Sequence, residues 1–213
     1  MNGAKKLIII GAATPTIIRV IEDINSDGNE EFQIVGFLDN RYLEIGDSFY
    51  DLPLLGGFES IEKFDPAEVL LINTIASSTS LRRTTSEYFL QRNYRFTNVI
   101  HPSVNLERVV ISEGNLIYEN ATVHPFVSIG SHNVISSNAG IAHEVELNDY
   151  VFVGPGSYTC GKCRISCGAY IGVGAKILPR LTVGLDSVVG AGAIVTKNVP
   201  DAEKHFGVPA RKS

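Results

Sequence analysis

The sequence predicts an α/β domain over residues 1–105, followed by a solenoid of hexapeptide repeats over residues 106–213 that ends in a C-terminal tail. Two observations predict this division. Short apolar runs alternate with helical patterns in the first part, which indicates a small parallel sheet with right-handed crossovers, a Rossmann-like arrangement. In the second part an aliphatic residue recurs at every sixth position, a period that fits neither a helix nor a plain strand.

The first domain is predicted from its strand and helix signals. KKLIIIGA is a continuous apolar run bounded by glycine, as in a buried parallel strand. Thr14 is a good helix N-cap and Pro15 suits the first helical position, and isoleucines follow at near-helical spacing. FQIVGFLDN and EVLLIN are the second and third predicted strands, residues 80–91 a helix, and FTNVIHP a fourth strand that Pro102 stops.

The repeat begins at Ile111 and continues to Val195. Ile, Leu or Val occupies 14 of its 15 positions, and only Thr159 departs. The position four residues later is mostly small. One aliphatic residue per short strand, with tight turns between strands, is typical of a solenoid. With three hexads in each coil, the repeat predicts about five coils.

Composition excludes several classes of protein. The 213 residues carry a net charge of −5 and contain no tryptophan. These features argue against a general nucleic-acid binder and against an aromatic platform for single strands. No apolar run has the roughly 18 to 20 residues that a membrane span needs. We expect no membrane insertion and a cytoplasmic location, and the run after Lys5 and Lys6 is interpreted as a buried strand rather than a signal peptide.

All three cysteines, Cys160, Cys163 and Cys167, lie in one C-x2-C-x3-C stretch. Their odd number, in a long chain with no secretion signal, argues against a disulfide framework. Zinc would require four ligands, and no fourth Cys or His lies close in the sequence. We therefore expect no metal site, and small half-buried residues at repeat positions.

The repeat resembles that of the left-handed parallel β-helix acyltransferases. Four motifs carry the resemblance: VIHPSV at 99–104, AGIAHEVELNDYVFVGPG at 139–156, VVGAGAIVTKNVPD at 188–201 and GVPA at 207–210. Together with the α/β unit, they make the chain similar to the sialic acid O-acetyltransferase and UDP-4-amino-sugar N-acetyltransferase group of bacterial surface-glycan enzymes. The resemblance implies a left-handed solenoid, acetyl-CoA as co-substrate, and a homotrimer with its active site between neighbouring subunits.

The resemblance also implies a catalytic pair. Acyl transfer from a thioester to an amine needs a base for the amine proton and donors for the developing oxyanion. His143, in IAHE, matches the family's base, and Glu144 would orient its ring and stabilise the imidazolium. Without the resemblance, a surface histidine beside an incidental acid is also open. Adjacent residues on a straight strand face opposite sides, so the pair needs a bend, and the hexad register places one there.

The other four histidines rank lower as functional groups. His101 matches a family position but lies at the domain junction, where a structural role is expected. His124 and His132 fall on repeat turns and are expected to be solvated, and His205 lies in the C-terminal tail.

Candidate cofactor contacts lie toward the C-terminal end. Gly161 aligns with a family glycine whose amide faces the thioester carbonyl, although a turn that requires glycine explains it equally well. Residues 159–213 carry a net charge of +5 and residues 1–158 a net charge of −10, which suits polyanionic coenzyme A. The remaining candidates are small residues on later coils, where the family lays the pantetheine arm, and basic residues near the phosphates: Val173, Gly174, Ala191, Gly192, Lys197 and Arg211.

The α/β domain is expected to bind the second substrate. Its first loop, Gly11, Ala12 and Ala13, precedes a helix N-terminus that could meet a phosphate or ribose, but it lacks G-x-G-x-x-G, which argues against a dinucleotide cofactor. Asp39 and Asn40 match family positions that contact base and ribose, with loop capping as the alternative.

One position departs from the family near the acceptor sugar. Phe152 stands where the family commonly has a histidine, so the sugar pocket is more apolar or the acceptor differs. The resemblance as a whole implies an acetyl-CoA-dependent N-acetyltransferase acting on a nucleotide-linked 4-amino-4,6-dideoxy sugar in surface-glycan synthesis. The alternatives are sugar O-acetylation, as of sialic acid, and a non-catalytic trimeric hexapeptide scaffold.

Overall fold

A computed structural model describes residues 4–28 and 30–213 of the protein. Its first part is a six-stranded sheet with the order β3-β4-β2-β1-β5-β6, in which only the β3–β4 pair is antiparallel. The strands are β1 (Lys5–Ile10), β2 (Phe32–Leu38), β3 (Ser48–Phe49), β4 (Leu52–Gly56), β5 (Val69–Asn73) and β6 (Arg95–Phe96). The helices are α1 (Thr16–Asp27), α2 (Tyr42–Ile45), α3 (Thr79–Leu90) and a 3-10 helix (Phe58–Lys63).

The start of α1 lies one residue later than its sequence signals predict, because the helix begins at Thr16 and Pro15 is its N-cap residue. Thr14 Oγ1 accepts a hydrogen bond from Thr16 N–H at 3.3 Å, and Pro15 between them has helical dihedral angles. Thr14 therefore stabilises the turn before the helix but is not its N-cap residue, so the predicted capping pattern was wrong by one position. The helix ends at Gly28, whose φ of +78° is in the left-handed region that glycine adopts without steric cost.

The predicted fourth strand of the first domain is divided between two sheets, so this prediction was wrong. Arg95–Phe96 pairs with β5, whereas Val99–Ile100 pairs with Leu116–Ile117 in the repeat region. The Asn98 side chain turns the chain between them, because it accepts a hydrogen bond from Asn115 N–H and donates to Ser112 O.

The repeat region is a parallel β-solenoid with three faces, formed by two-residue strands. Between Val110 and Val195, neighbouring strands of a face are parallel and 18 residues apart, and faces B and C have five strands each, as the predicted five coils require. At the ends of face A, Val99 pairs with Leu116 and Val188 with Lys204, and the last two strands are antiparallel. Face A contains Val99–Ile100, Leu116–Ile117, Val134–Ile135, Phe152–Val153, Tyr170–Ile171, Val188–Val189, Lys204–Phe206 and Arg211–Lys212. Face B contains Val110–Ile111, Ser128–Ile129, Glu146–Leu147, Arg164–Ile165 and Thr182–Val183. Face C contains Thr122–Val123, Gly140–Ile141, Tyr158–Thr159, Lys176–Ile177 and Ile194–Val195.

Every sixth residue from Arg108 to Gly192 has a positive φ, between +49° and +74°. These residues turn the chain from one face to the next and form three rows along the solenoid. Corner 1 contains Arg108, Phe126, Glu144, Lys162 and Arg180; corner 2 contains Gly114, His132, Tyr150, Gly168 and Asp186; corner 3 contains Asn120, Asn138, Gly156, Gly174 and Gly192.

The α/β domain packs on face A and corner 2. The outward residues Leu116, Val134 and Phe152 of face A are buried in one cluster with Ile17 and Ile21 of α1.

At corner 2, Arg82 of α3 is fully buried and donates to Ile75 O, His132 O and Tyr150 O at 2.8, 3.0 and 2.8 Å. Within residues 4–28 and 30–213, no helix is both long and apolar enough for a bilayer span.

Candidate active site

His143 and Glu144 lie at corner 1, where the left-handed conformation of Glu144 turns the chain. With a φ of +58° at Glu144, the two consecutive side chains reach the same side of the backbone. His143 Nδ1 lies 3.0 Å from Glu144 Oε1, and both side chains are about half exposed. The structure therefore provides the bend that a cooperating pair requires, with Nε2 left for a substrate.

Lys162 adds a cation on the next coil of corner 1. Its Nζ lies 3.4 Å from Glu144 Oε2, and its backbone N–H donates to His143 O at 3.0 Å. The hydrogen bond with His143, followed by the contact with Lys162, outweighs the effect of desolvation and holds the pKa of the Glu144 carboxyl below its ordinary value. The carboxylate therefore stays ionised beside the imidazole.

Gly161 lies directly against the imidazole of His143. A Cβ at position 161 would be 2.6 Å from His143 Nε2 and 2.7 Å from its Cε1. Only glycine leaves room for the ring in this position. Gly161 N–H has no hydrogen-bond acceptor in the described part of the chain. His143, Glu144 and Gly161 are thus brought together, with an open amide beside Nε2.

The other predicted cofactor contacts lie elsewhere in the same chain. Val173, Gly174, Ala191 and Gly192 are on corner 3, where Gly192 N–H donates to Val173 O at 2.8 Å. They therefore lie on a different corner of the solenoid from His143.

The two basic candidates are exposed near the C-terminal end. Lys197 follows the last strand of face C, and Arg211 is on the last strand of face A. The contacts of both with coenzyme A stay predictions.

The α/β domain contains a cavity of about 660 Å³ at the carboxyl ends of β1, β2 and β5. Ligands bind at this edge in open parallel sheets. The predicted residues Gly11, Ala13, Asp39 and Asn40 line it, and Ala12 N–H donates to Asp39 Oδ2 at 2.9 Å.

Sequence reasoning missed the rest of the cavity lining. For Arg41, the available sequence signal was its position directly after Asp39 and Asn40, the two residues predicted at the end of β2. The additional residues are Thr14, Arg41, Phe58, Thr74, Ile75, Ala76, Ser77 and Leu81.

The carboxylate of Asp39 is occupied by partners from its own domain. Oδ1 accepts from Arg41 N–H at 2.9 Å and from Arg41 Nε at 3.1 Å, and Oδ2 accepts from Arg41 at 2.8 Å and from Ala12 N–H. Burial raises the pKa of Asp39, but the hydrogen bonds from Arg41 and Ala12 outweigh burial and hold this pKa below its usual value.

Phe152 is placed in the packing between the domains. It is 6% exposed, and its ring stacks on Tyr170 with centroids 4.6 Å apart. Phe152 also belongs to the buried apolar cluster that contains Ile17 and Ile21 of α1. A contact between Phe152 and an acceptor sugar stays a prediction.

The structure shows the surroundings of two further histidines, His101 and His132. His101 lies 3.1 Å from Asp23 and joins α1 to face A, a structural position as expected. The expectation of a solvated His132 was wrong: it is 6% exposed and stacks on Tyr150, because α3 covers corner 2.

The three thiols are free, and Cys163 Sγ donates to Leu178 O at 3.1 Å. Among the residues with described positions, no group of three or more His, Cys, Asp or Glu side chains is arranged to hold a metal ion.

Comparisons with known proteins identify similar acetyltransferases, although no family model matches the chain. The acetyltransferase domain of PglB from Neisseria gonorrhoeae, in complex with acetyl coenzyme A, superposes with a TM-score of 0.87 at 25% identity over 99% of this chain and 100% of that one. A histidine-to-asparagine variant of perosamine N-acetyltransferase from Caulobacter crescentus, in complex with CoA and GDP-perosamine, shares the fold, with a TM-score of 0.85 at 24% identity over 100% and 98% of the two chains.

The curated relatives match a shorter stretch. Serine acetyltransferase from Bacillus pumilus is 32% identical over 112 residues, 48% of this chain and 52% of that protein. The chain spans about half or less of the length of the first curated relatives it matches, between 38% and 54%. Together these matches confirm the resemblance to acetyltransferases built on hexapeptide repeats.

Proposed function

We propose that the chain is an acetyl-CoA-dependent N-acetyltransferase whose acceptor is a nucleotide-linked 4-amino-4,6-dideoxy sugar used for lipopolysaccharide O-antigen or another bacterial surface glycan. The observation that carries the proposal is the arrangement of His143, Glu144 and Gly161 at corner 1. It offers the imidazole of His143 as a base and the carboxylate of Glu144, which orients that base. It also offers the Gly161 N–H, which has no acceptor in the described part of the chain and lies beside His143 Nε2. The neighbours in complex with acetyl coenzyme A and with GDP-perosamine support the choice of substrates.

In the proposed mechanism, the sugar amine attacks the thioester carbonyl carbon. His143 Nε2 accepts the amine proton, and Nδ1–H donates to Glu144, whose charge stabilises the imidazolium. Gly161 N–H donates to the oxyanion of the tetrahedral intermediate. When the C–S bond breaks, the imidazolium returns the proton to the departing thiolate. The products are the amide and free coenzyme A.

The proposal includes a left-handed solenoid, a Rossmann-like nucleotide domain and a homotrimer. The separation of the candidate pantetheine contacts on corner 3 from His143 on corner 1 supports a site that a neighbouring subunit completes. The cavity near Asp39 would hold the nucleotide. Lys197 and Arg211 would lie near the phosphates of coenzyme A, in the basic part of the chain.

The first test is release of free thiol from acetyl-CoA with UDP-, dTDP- and GDP-linked 4-amino-4,6-dideoxy sugars. We expect turnover with one of them, and a loss of at least about 100-fold in His143→Ala with unchanged affinity for coenzyme A. His124→Ala is the matched control, since His124 lies on the preceding coil, where its N–H donates to Ile141 O, and has no role in the proposed mechanism. Near-normal turnover of His143→Ala would remove His143 from the mechanism.

Sugar O-acetylation is the second candidate. A hydroxyl is a poorer nucleophile than an amine and depends more on its base, and the carboxylate-supported His143 suits that requirement. Analysis of the product by mass spectrometry and NMR distinguishes an amide from an ester. If no amino sugar of the panel caused thiol release but coenzyme A still bound, this candidate would be favoured. If there were neither thiol release nor coenzyme A binding, a non-catalytic scaffold would be favoured.

A further inference from the structure

We propose that Arg41 binds the diphosphate of the nucleotide-linked substrate, and that Asp39 holds Arg41 in place for this contact instead of binding the ribose. The proposal rests on the proposed function, because it takes the cavity of the α/β domain as the nucleotide site. It assigns a role to a residue that the sequence signals did not single out, and it changes the role expected of Asp39.

Asp39 has no acceptor left for a ribose hydroxyl. An ionised carboxylate offers about four acceptor sites. Four donors reach them at 2.8 to 3.1 Å: the backbone N–H groups of Ala12 and Arg41, and the Nε and one terminal nitrogen of the Arg41 guanidinium. A ribose hydroxyl would have to displace one of these contacts inside a buried site. The carboxylate therefore serves as an anchor within its own domain.

Arg41 keeps donors that face outward. Its guanidinium has five N–H groups in a planar fork. Asp39 occupies Nε and one terminal nitrogen, and the other terminal nitrogen has no acceptor among the residues the structure describes. The side chain is 56% exposed and lines the cavity. A guanidinium held by a carboxylate on one edge is pre-organised to bind a phosphate with the other.

Arg41 is the cationic side chain among the residues that line the cavity. Ala12 N–H and the Arg41 guanidinium share Asp39 Oδ2, so the guanidinium lies beside the loop between β1 and α1. In that loop Pro15 has no N–H, and Thr16 N–H donates to Thr14 Oγ1. The helix N-terminus therefore offers fewer free amides to an anion than such a loop usually does. Arg41 supplies the positive charge there.

The polar groups beside Arg41 also favour an acceptor-rich ligand. Asn40 Oδ1 accepts a hydrogen bond from Phe58 N–H at 2.9 Å, which fixes the orientation of its amide. Its Nδ2 is left to donate toward the cavity that Asn40 lines. Donors at this edge match phosphate and carbonyl oxygens rather than hydroxyl or amino hydrogens.

The test is calorimetric binding of UDP, GDP and dTDP, of the corresponding nucleosides, and of coenzyme A. In Arg41→Met we expect affinity for the diphosphates to fall at least about 10-fold, with nucleoside and coenzyme A affinities unchanged. Asp39→Asn should weaken diphosphate binding as well, and the double variant should add little, because the two residues act as one unit. Arg19→Met is the control, as Arg19 is an exposed arginine on α1 outside the cavity.

The outcomes separate this inference from the proposed function. If the wild type binds nucleotides but Arg41→Met binds them equally well, or loses nucleosides and diphosphates alike, the role of Arg41 is overturned and the nucleotide site stands. If Arg41→Met also loses coenzyme A, the guanidinium contacts the co-substrate instead. If the wild type binds no nucleotide or nucleoside, both the cavity assignment and the inference fail.

Discussion

Glu144 Oε1 lies 3.0 Å from His143 Nδ1, although the two residues are consecutive in the chain. On a straight strand their side chains would point to opposite faces. They meet because Glu144 is the left-handed residue of its turn, one of a series that repeats every six residues along the solenoid. The same turn geometry that closes the solenoid thus pairs an imidazole with a carboxylate at the surface.

Glu144→Gln tests the contribution of the carboxylate. The substitution keeps the shape but removes the charge beside the imidazolium, so kcat/KM should fall about 10-fold or more, yet less than the 10² to 10⁴-fold typical of losing a general base. The amide of glutamine no longer offers a charged acceptor to Nδ1–H of His143, so the loss should appear in kcat. Glu146→Gln is the matched control on the same coil, where the glutamate pairs with Arg164. An unchanged kcat/KM would show that Glu144 is incidental.

Gly161→Ala tests the packing of the imidazole. The added Cβ would lie 2.6 Å from His143 Nε2 and must displace the ring, so kcat should fall with little change in stability. In a His143→Ala background the same substitution meets no ring and should have no further effect on the residual rate. Steady-state kinetics of the wild type, the two single variants and the double variant measure the coupling between Gly161 and His143. Additive losses would instead indicate that Gly161 acts only through its own backbone.

Arg82→Met tests the connection between the domains. Burial lowers the pKa of Arg82 to about 10, so its guanidinium remains charged at neutral pH while it bonds three carbonyl oxygens. Removing it leaves these carbonyls without their donor, at about 1 to 3 kcal/mol each, partly offset because a desolvated cation is also removed.

We expect Arg82→Met to lose about 2 kcal/mol or more of unfolding free energy in urea. The KM for the nucleotide substrate should rise while that for acetyl-CoA stays constant, because Ile75, one of the three acceptors, lines the cavity. Arg83→Met removes a neighbouring, partly exposed ion pair with Asp186 and should lose less than about 1 kcal/mol. Equal stability of the two variants would contradict the prediction.

His132→Asn tests a buried histidine. Burial lowers the pKa of His132 from 6.5 to about 4, with Asp149 opposing the shift and Arg82 reinforcing it. Between these pH values the unfolded chain binds the proton and the folded chain does not, so wild-type stability falls as pH drops from 6.5 toward 4, by up to about 3 kcal/mol from this group.

The variant cannot titrate at this position, and asparagine tolerates the left-handed backbone of residue 132. Its stability relative to the wild type, from urea unfolding, should therefore improve as pH falls from 8 to 4. A difference that does not change with pH would show that His132 is protonated in the folded state as readily as in the unfolded one.

The repeat and the pair at corner 1 could be predicted from the sequence because each depends on local signals. An aliphatic residue in 14 of the 15 hexads from Ile111 to Val195 predicts the solenoid, and IAHE lies at a fixed point of its register. The contacts of α3 could not be predicted, because Arg82 bonds to backbone carbonyls, which any residue carries. Burial of His132 follows from the same docking.

The hydrogen-bond partners of Asp39 also could not be predicted from the sequence. A carboxylate at a strand end fits a ribose ligand and an internal anchor equally well, and the choice depends on which donors the fold brings to it. Arg41 is two residues away, but its side chain could equally have pointed to solvent. Side-chain direction in a loop depends on tertiary contacts such as the shared hydrogen bond at Ala12 N–H.

Thr159→Val tests the one departure from the aliphatic repeat. Thr159 is fully buried in the solenoid, its strand pairs with those of Ile141 and Ile177, and its Oγ1 has no hydrogen-bond partner in the described part of the chain. A buried hydroxyl without a partner is unfavourable, and valine has nearly the same shape.

We expect Thr159→Val to raise the unfolding free energy by about 1 kcal/mol in urea denaturation, with catalysis unchanged. Thr122→Val, on an exposed outward position of the same face, should change it by less than about 0.5 kcal/mol. If Thr159→Val were instead less stable than the wild type, the hydroxyl would have to be satisfied by a buried water, since valine fills the same volume and matches the other aliphatic residues of the repeat.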